Sequence, residues 1–112
     1  MSLHELGKHV IATIKGGELN NITMLEEAMI FAAEEAGATV LHSHAHQFEP
    51  QGVTAFVVLA ESHFAIHTWP EKDSACLDVF TCGSIDPWDI VHSFAHRVGS
   101  QVYLAHSVKR LG

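Results

Sequence analysis

Seven of the eight residues from Val53 to Ala60 are apolar, with Thr54 the one exception. A nearly continuous apolar run of this length reads as a strand covered on both faces or paired centrally in a sheet. The rest of the chain has to supply the layers around it. Glu61-Ser62 interrupts the run, and His63 to Trp69 is strand-like again. On the N-terminal side Thr39 to Phe48 alternates, which places Val40, His42, His44, His46 and Phe48 on one face of a strand. Glu49-Pro50-Gln51-Gly52 is a turn, and Pro70 with Glu71-Lys72-Asp73 is another. Lys8 to Ile14, Ala75 to Phe80 and Gln101 to Val108 read as further strands.

Two segments carry the helical period instead. Leu25, Ala28, Met29, Ala32, Ala33 and Ala36 recur on one face. Thr23 and Glu26 before them have capping-box spacing, and Gly37 is placed to end the helix in the left-handed conformation. Asp86-Pro87 is a strong helix start, followed by Trp88, Val91, Phe94, Ala95 and Val98 on one face and Gly99 at the end. The order strand, helix, four strands, helix, strand predicts an α/β (α+β) two-layer sandwich, a mainly antiparallel sheet with two helices on one face. With 112 residues and no linker-like stretch, a single domain spanning 1–112 is expected.

Composition narrows the function classes. Apolar residues at 47% against charged residues at 17% exclude a disordered chain. Six Lys and Arg against 13 Asp and Glu leave a net charge of −7, a poor match for nucleic-acid backbones. No apolar run approaches the roughly 20 residues of a membrane span. Met1-Ser2-Leu3-His4-Glu5 lacks the layout of an export signal, so a cytoplasmic location is expected, with Cys76 and Cys82 reduced. Without export, the glycosylation pattern Asn21-Ile22-Thr23 is read as chance. Ten histidines are many for this length. His42, His44 and His46 alternate along about 13 Å of strand, too far for all three to hold one ion, and no further ligand motif accompanies them. They read as sheet-surface or interface residues, with no metal expected.

The polar break at Glu61-Ser62 is where chemistry can sit. Ser62 as a hydrolase nucleophile would need a base and an orienting acid, and the nucleophile-elbow pattern Gly-x-Ser-x-Gly is absent around Ser62, which is flanked by Glu61 and His63. A second reading is self-processing. The Ser62 hydroxyl attacks the Glu61 carbonyl, and the ester eliminates when a base removes the Ser62 Cα hydrogen, leaving a pyruvoyl group on a cut chain. The third reading is an ordinary serine at a strand end.

Glu61-Ser62-His63, Ile66-His67-Thr68-Trp69-Pro70-Glu71 and Phe80-Thr81-Cys82-Gly83 together resemble the prokaryotic S-adenosylmethionine decarboxylase proenzyme family, in its short bacterial and archaeal form. Gly7 to Ala12, Gly37 to Val40, Phe48 to Thr54 and Asp86-Pro87-Trp88 extend the resemblance over nearly the whole chain. It implies cleavage between Glu61 and Ser62 into a β chain, 1–61, and an α chain, 62–112. The pyruvoyl group derived from Ser62 then forms a Schiff base with the substrate amine and accepts the electrons as carbon dioxide leaves, with neither metal nor pyridoxal phosphate. His67 is implied as the base that removes the Cα hydrogen, and Cys82 as the acid that protonates the product carbon. Cys76 reads as a small buried hydrophobe.

Thr54 stands where better-known members have a processing serine, so processing is expected to be kept and slowed. Phe48 is implied to stack on adenine, Glu71 to hold the ribose hydroxyls and Trp69 to face the sulfonium. Core packing competes for Phe48, and a solvated turn for Glu71. Lys72-Asp73-Ser74-Ala75 departs from the family's tyrosine- and glycine-containing turn, which leaves arginine or ornithine as alternative substrates. An unprocessed, non-catalytic module binding a nucleoside or a partner is the rival class. The resemblance also implies a homodimer with sites at the subunit interface, so that Phe48 serves the partner's pyruvoyl group, and a product that feeds spermidine synthesis.

Overall fold

The computed structural model describes residues 4–112; Met1 to Leu3, part of the stretch read for an export signal, lie outside the described residues. Six strands, β1 (Glu5–Lys15), β2 (Val40–Gln47), β3 (Val53–Leu59), β4 (Ser62–Trp69), β5 (Ser74–Thr81) and β6 (Gln101–Leu111), form one antiparallel sheet in the order β2-β3-β4-β5-β1-β6. Helices α1 (Ile22–Glu35) and α2 (Pro87–Val98) cover one face of it. The architecture is the two-layer α+β sandwich expected.

The helix ends follow from their side chains. Asp86 caps α2, its carboxylate accepting from the Trp88 N–H at 2.9 Å, with Pro87 at the first position and Gly99 left-handed at φ 78°. In α1 the cap is Asn21, whose side chain accepts from the Met24 N–H at 3.1 Å, and not Thr23, which lies inside the helix. The sequence Asn21-Ile22-Thr23 is thus a helix start. Of the predicted α2 face, Val91, Phe94, Ala95 and Val98 are buried as expected; Trp88 is partly buried, and Ile90 takes its share of the core.

Burial in the sheet is one-sided. Val53, Ala55, Val57 and Leu59 of β3 are buried under the helices with Phe64 and Ile66 of β4 and Ala75, Leu77 and Val79 of β5. Phe64 meets Phe94 of α2 edge to face at 5.3 Å. The run from Val53 is paired on both edges, but only one of its faces is covered, and Phe56 is 43% exposed. This opposite, open face carries His42, His44 and His46, all exposed, with Ile11, Phe56, Trp69, Leu104 and Val108. Val40 does not share their side. A register shift between Val40 and His42 turns it toward the helices, and a bulge of this kind reverses the alternation. Cys76 lies half-buried on the open face, cross-strand from His67, and not in the core as expected. Among the described residues no helix is long and apolar enough to cross a membrane.

Candidate active site

The predicted residues fall into two groups at opposite ends of β4. The first is built on the tight connection from β3 to β4. Leu59 and Ser62 are cross-strand partners, so only Ala60 and Glu61 make the turn. Glu61 has φ 59°, left-handed backbone that a residue with a Cβ adopts at a cost of roughly 1–2 kcal/mol. The strain lies on the residue whose carbonyl begins the Glu61–Ser62 peptide. Cys82, just past the end of β5, meets both sides of this bond. Its N–H donates to Ser62 Oγ at 3.2 Å, and its thiol donates to the Glu61 carbonyl at 2.9 Å.

The second group lines a cleft of about 330 Å³ at the other end of β3 and β4, within the range of small-molecule sites. Phe48, Thr54, His67, Trp69 and Glu71 all line it, with Gln51, Gly52 and Thr68, three residues to which the sequence reading gave no site role. Thr54 and His67 are cross-strand partners, and Thr54 Oγ1 lies 3.0 Å from His67 Nδ1. Thr68 points the other way and is buried, its hydroxyl accepting the Val53 N–H at 2.8 Å. Glu71 sits in a single 3-10 turn, Pro70–Lys72. Phe48 meets His46 at 4.6 Å between ring centroids and remains 47% exposed, which excludes core packing as its role.

One chain does not join the two groups. Ser62 is the first residue of β4 and His67 the sixth, about 16 Å apart at the rise of a strand. His67 therefore cannot reach the Ser62 Cα hydrogen of its own chain.

A third cluster was missed from the sequence. Asp78 Oδ1 accepts from His9 Nε2 at 2.6 Å and from His63 Nε2 at 3.0 Å. Arg110 Nη1 donates to His9 Nδ1 at 3.1 Å, which fixes the His9 ring hydrogen on Nε2, facing Asp78. The His63 ring is stacked between Phe56 and Phe80, with centroids at 5.6 and 5.9 Å. Gly7 makes room for Phe80, since a Cβ there would lie 2.5 Å from the ring. Partial burial pushes the Asp78 carboxyl up, but the hydrogen bonds from His9 and His63 outweigh it and hold the carboxyl below its ordinary value. The three ligand-type atoms lie within 4.8 Å of one another, yet each is occupied by its neighbours. The histidine excess was the available signal, and only the register of β1, β4 and β5 brings these members together.

The family model described as S-adenosylmethionine decarboxylase matches residues 8–111. This chain belongs to that family. The S-adenosylmethionine decarboxylase proenzymes of Carboxydothermus hydrogenoformans and Pelotomaculum thermopropionicum are each 46% identical to it over 112 residues, covering 96% of this chain and 88% and 89% of theirs. The crystal structure of the adenosylmethionine decarboxylase of Aquifex aeolicus superposes with a TM-score of 0.85 at 30% identity, covering 95% of this chain and 91% of that one.

Proposed function

We propose that this chain is a self-processing, pyruvoyl-dependent carboxy-lyase that decarboxylates S-adenosylmethionine in the cytoplasm, supplying an aminopropyl donor for spermidine synthesis. The observation that carries the reading is the Glu61 carbonyl held at 2.9 Å by the Cys82 thiol, on a strained left-handed residue beside the Ser62 hydroxyl.

Ser62 Oγ attacks the Glu61 carbonyl carbon. The Cys82 thiol supports the oxygen as negative charge develops there. The peptide nitrogen departs with a proton, leaving an ester to Glu61 and a free amine on residue 62. A base removes the Ser62 Cα hydrogen, and the electron pair expels the Glu61 carboxylate from Cβ. Water then replaces the nitrogen, which leaves as ammonia, and residue 62 carries a ketone. The products are chains 1–61 and 62–112.

The surroundings of residue 62 fit such a group: a single hydroxyl at a chain turn, with the Cys82 N–H aimed at it and the Cys82 thiol on the carbonyl just before it. The pyruvoyl group supplies an electron sink for the carboxylate bond electrons. Cys82 returns a proton to the substrate carbon. At the cleft, Phe48 offers a face for adenine, Glu71 a carboxylate for ribose hydroxyls and Trp69 a ring for the sulfonium.

The base is His67 of a second copy. Its Nδ1 is engaged by Thr54 Oγ1 at 3.0 Å, and the tautomer that acts is the one with hydrogen on Nδ1 and the lone pair on Nε2. Two sheets pack face to face about 10 Å apart. A two-fold axis between the open faces and across the strands sets the His67 end of one β4 over the Ser62 end of the other. Each site then takes Ser62 and Cys82 from one chain and the Phe48-to-Glu71 cleft from its partner.

Intact-mass analysis of the purified protein is the test. Fragments of residues 1–61 and 62–112 are expected from wild type, and one uncut chain from Ser62→Ala. Carbon dioxide release is expected with S-adenosylmethionine. Release with arginine or ornithine alone overturns the substrate, and a wild-type chain that stays whole overturns the processing and leaves the non-catalytic reading.

A further inference from the structure

The mechanism above makes no use of the cluster around His63, although His63 is bonded directly to the processing residue. Its ring is held between Phe56 of β3 and Phe80 of β5, and its Nε2 is tied to Asp78 of β5. Asp78 is held in turn by His9 of β1, and His9 by Arg110 of β6. Four strands thus act together on one side chain of a fifth, at the end of the sheet where the chain is to be cut.

The chemistry gives this clamp a purpose. Removing the Cα hydrogen of residue 62 places the electron pair in conjugation with that residue's own carbonyl. Overlap requires the breaking C–H bond to stand roughly perpendicular to the peptide plane joining residues 62 and 63. That plane includes the nitrogen and Cα of His63, so fixing the His63 side chain fixes the plane.

We propose that Asp78, with His9 and Arg110 behind it, is a positioning residue for the self-processing reaction, acting through His63 on the 62–63 peptide plane. The proposal rests on the self-processing reading. Neither Asp78 nor His9 touches the reacting atoms. A cluster that merely braces the sheet would change thermal stability when cut back, without changing the rate of chain cleavage in the folded protein.

The test follows cleavage of newly made chains in a cell-free synthesis chase, read by gel and intact mass, at a temperature where every variant is folded. His63→Phe keeps a flat ring between Phe56 and Phe80 but has no N–H for Asp78. Asp78→Ala removes the acceptor, and Asp78→Asn retains one oxygen. His63→Phe and Asp78→Ala are expected to slow cleavage about tenfold or more, as for loss of a hydrogen bond to a charged group, with Asp78→Asn between them and wild type. In the uncut Ser62→Ala background, nitrogen-15 shifts of the His63 ring are expected to report hydrogen on Nε2 and to lose that signature in Asp78→Ala. Wild-type cleavage rates in His63→Phe and Asp78→Ala overturn the proposal while leaving self-processing intact. A wild-type chain that does not cleave overturns both. Should Asp78→Ala not fold, His63→Phe and Asp78→Asn decide the matter by the same rates.

Discussion

Cys82 touches the two atoms that self-processing must bring together, through different parts of the residue. Its backbone N–H reaches Ser62 Oγ and its thiol reaches the Glu61 carbonyl. Cys82→Ala removes only the second contact. Loss of a hydrogen-bond donor to a developing oxyanion slows reactions by roughly 10²–10³, and a thiol is a weaker donor, so cleavage is expected to slow by about tenfold without stopping. Cys82→Ser keeps a donor and is expected to cleave nearer the wild-type rate. Both are expected to lose more in carbon dioxide release than in cleavage, because that step also takes the proton; time courses of intact mass and of gas release separate the two. Asp78 gives a different residue-scale expectation. His9 from β1, His63 from β4 and Arg110 behind His9 are the titratable groups of its network. With its carboxyl held below the ordinary value, the folded chain takes up the proton less readily than the unfolded one. Its stabilising effect is therefore fully present above about pH 3.9, the unfolded value, and is lost as pH falls through the lower folded value. Asp78→Asn is expected to be less stable than wild type at pH 7 and to converge with it in acid. Urea denaturation at pH 7 and pH 3 checks this, and an equal gap at both overturns it.

At the scale of elements, the helix starts separate two kinds of sequence signal. Asp86-Pro87 predicted the start of α2, and the structure agrees, because cap and first-turn residue are adjacent and local geometry decides. The start of α1 was misplaced by two residues. Thr23 with Glu26 and Asn21 two residues earlier are both chemically able to cap. Glu18 settles it, its carboxylate accepting the N–H groups of Asn20 and Asn21 at 2.9 Å and fixing the chain just before the helix. Asn21→Ala is expected to cost about 1 kcal/mol in chemical denaturation, and Thr23→Ala much less. The reverse order would restore the capping box. Strand identities were legible for a similar reason: alternation and turn residues are local, and they sufficed for six strands, two helices and their order. Register was not legible. The shift at Val40 that turns it away from His42, and the meeting of His9, His63 and Asp78, depend on pairings between segments up to 69 positions apart. The residues of the cleft were found because two short stretches, Phe48 to Thr54 and His67 to Glu71, each carry them contiguously. The distance from Ser62 to His67 was hidden by that same contiguity, since five positions are close in sequence and about 16 Å apart on a strand.

The whole molecule is a sheet with one face sealed by helices and the other left open, lined with Ile11, Phe56, Trp69, Leu104 and Val108 among histidines. Apolar side chains scattered singly over a surface need no explanation, but a face that also carries half of the proposed site does. Thr54 holds His67 at one end of β4, while Cys82 holds Ser62 at the other. The two halves can act on one bond only if they come from different chains, as in an isologous pair, where each residue meets its counterpart's neighbour across the axis. That geometry makes a prediction no single-chain site can share. Ser62→Ala has no nucleophile and is expected to stay whole. His67→Ala has the nucleophile and lacks the base, and is expected to stall before elimination. Co-expressed with different tags, the two variants form some mixed pairs. In a mixed pair, one site combines Ser62 of the His67→Ala chain with His67 of the Ser62→Ala chain, and it is complete. The His67→Ala chain is therefore expected to be cut in the mixture, up to the fraction of mixed pairs, while the Ser62→Ala chain remains intact. Intact mass of each tagged species reads this directly. If neither chain is cut although mixed pairs are recovered through both tags, the base acts within its own chain or is another residue, and the two-fold arrangement is wrong.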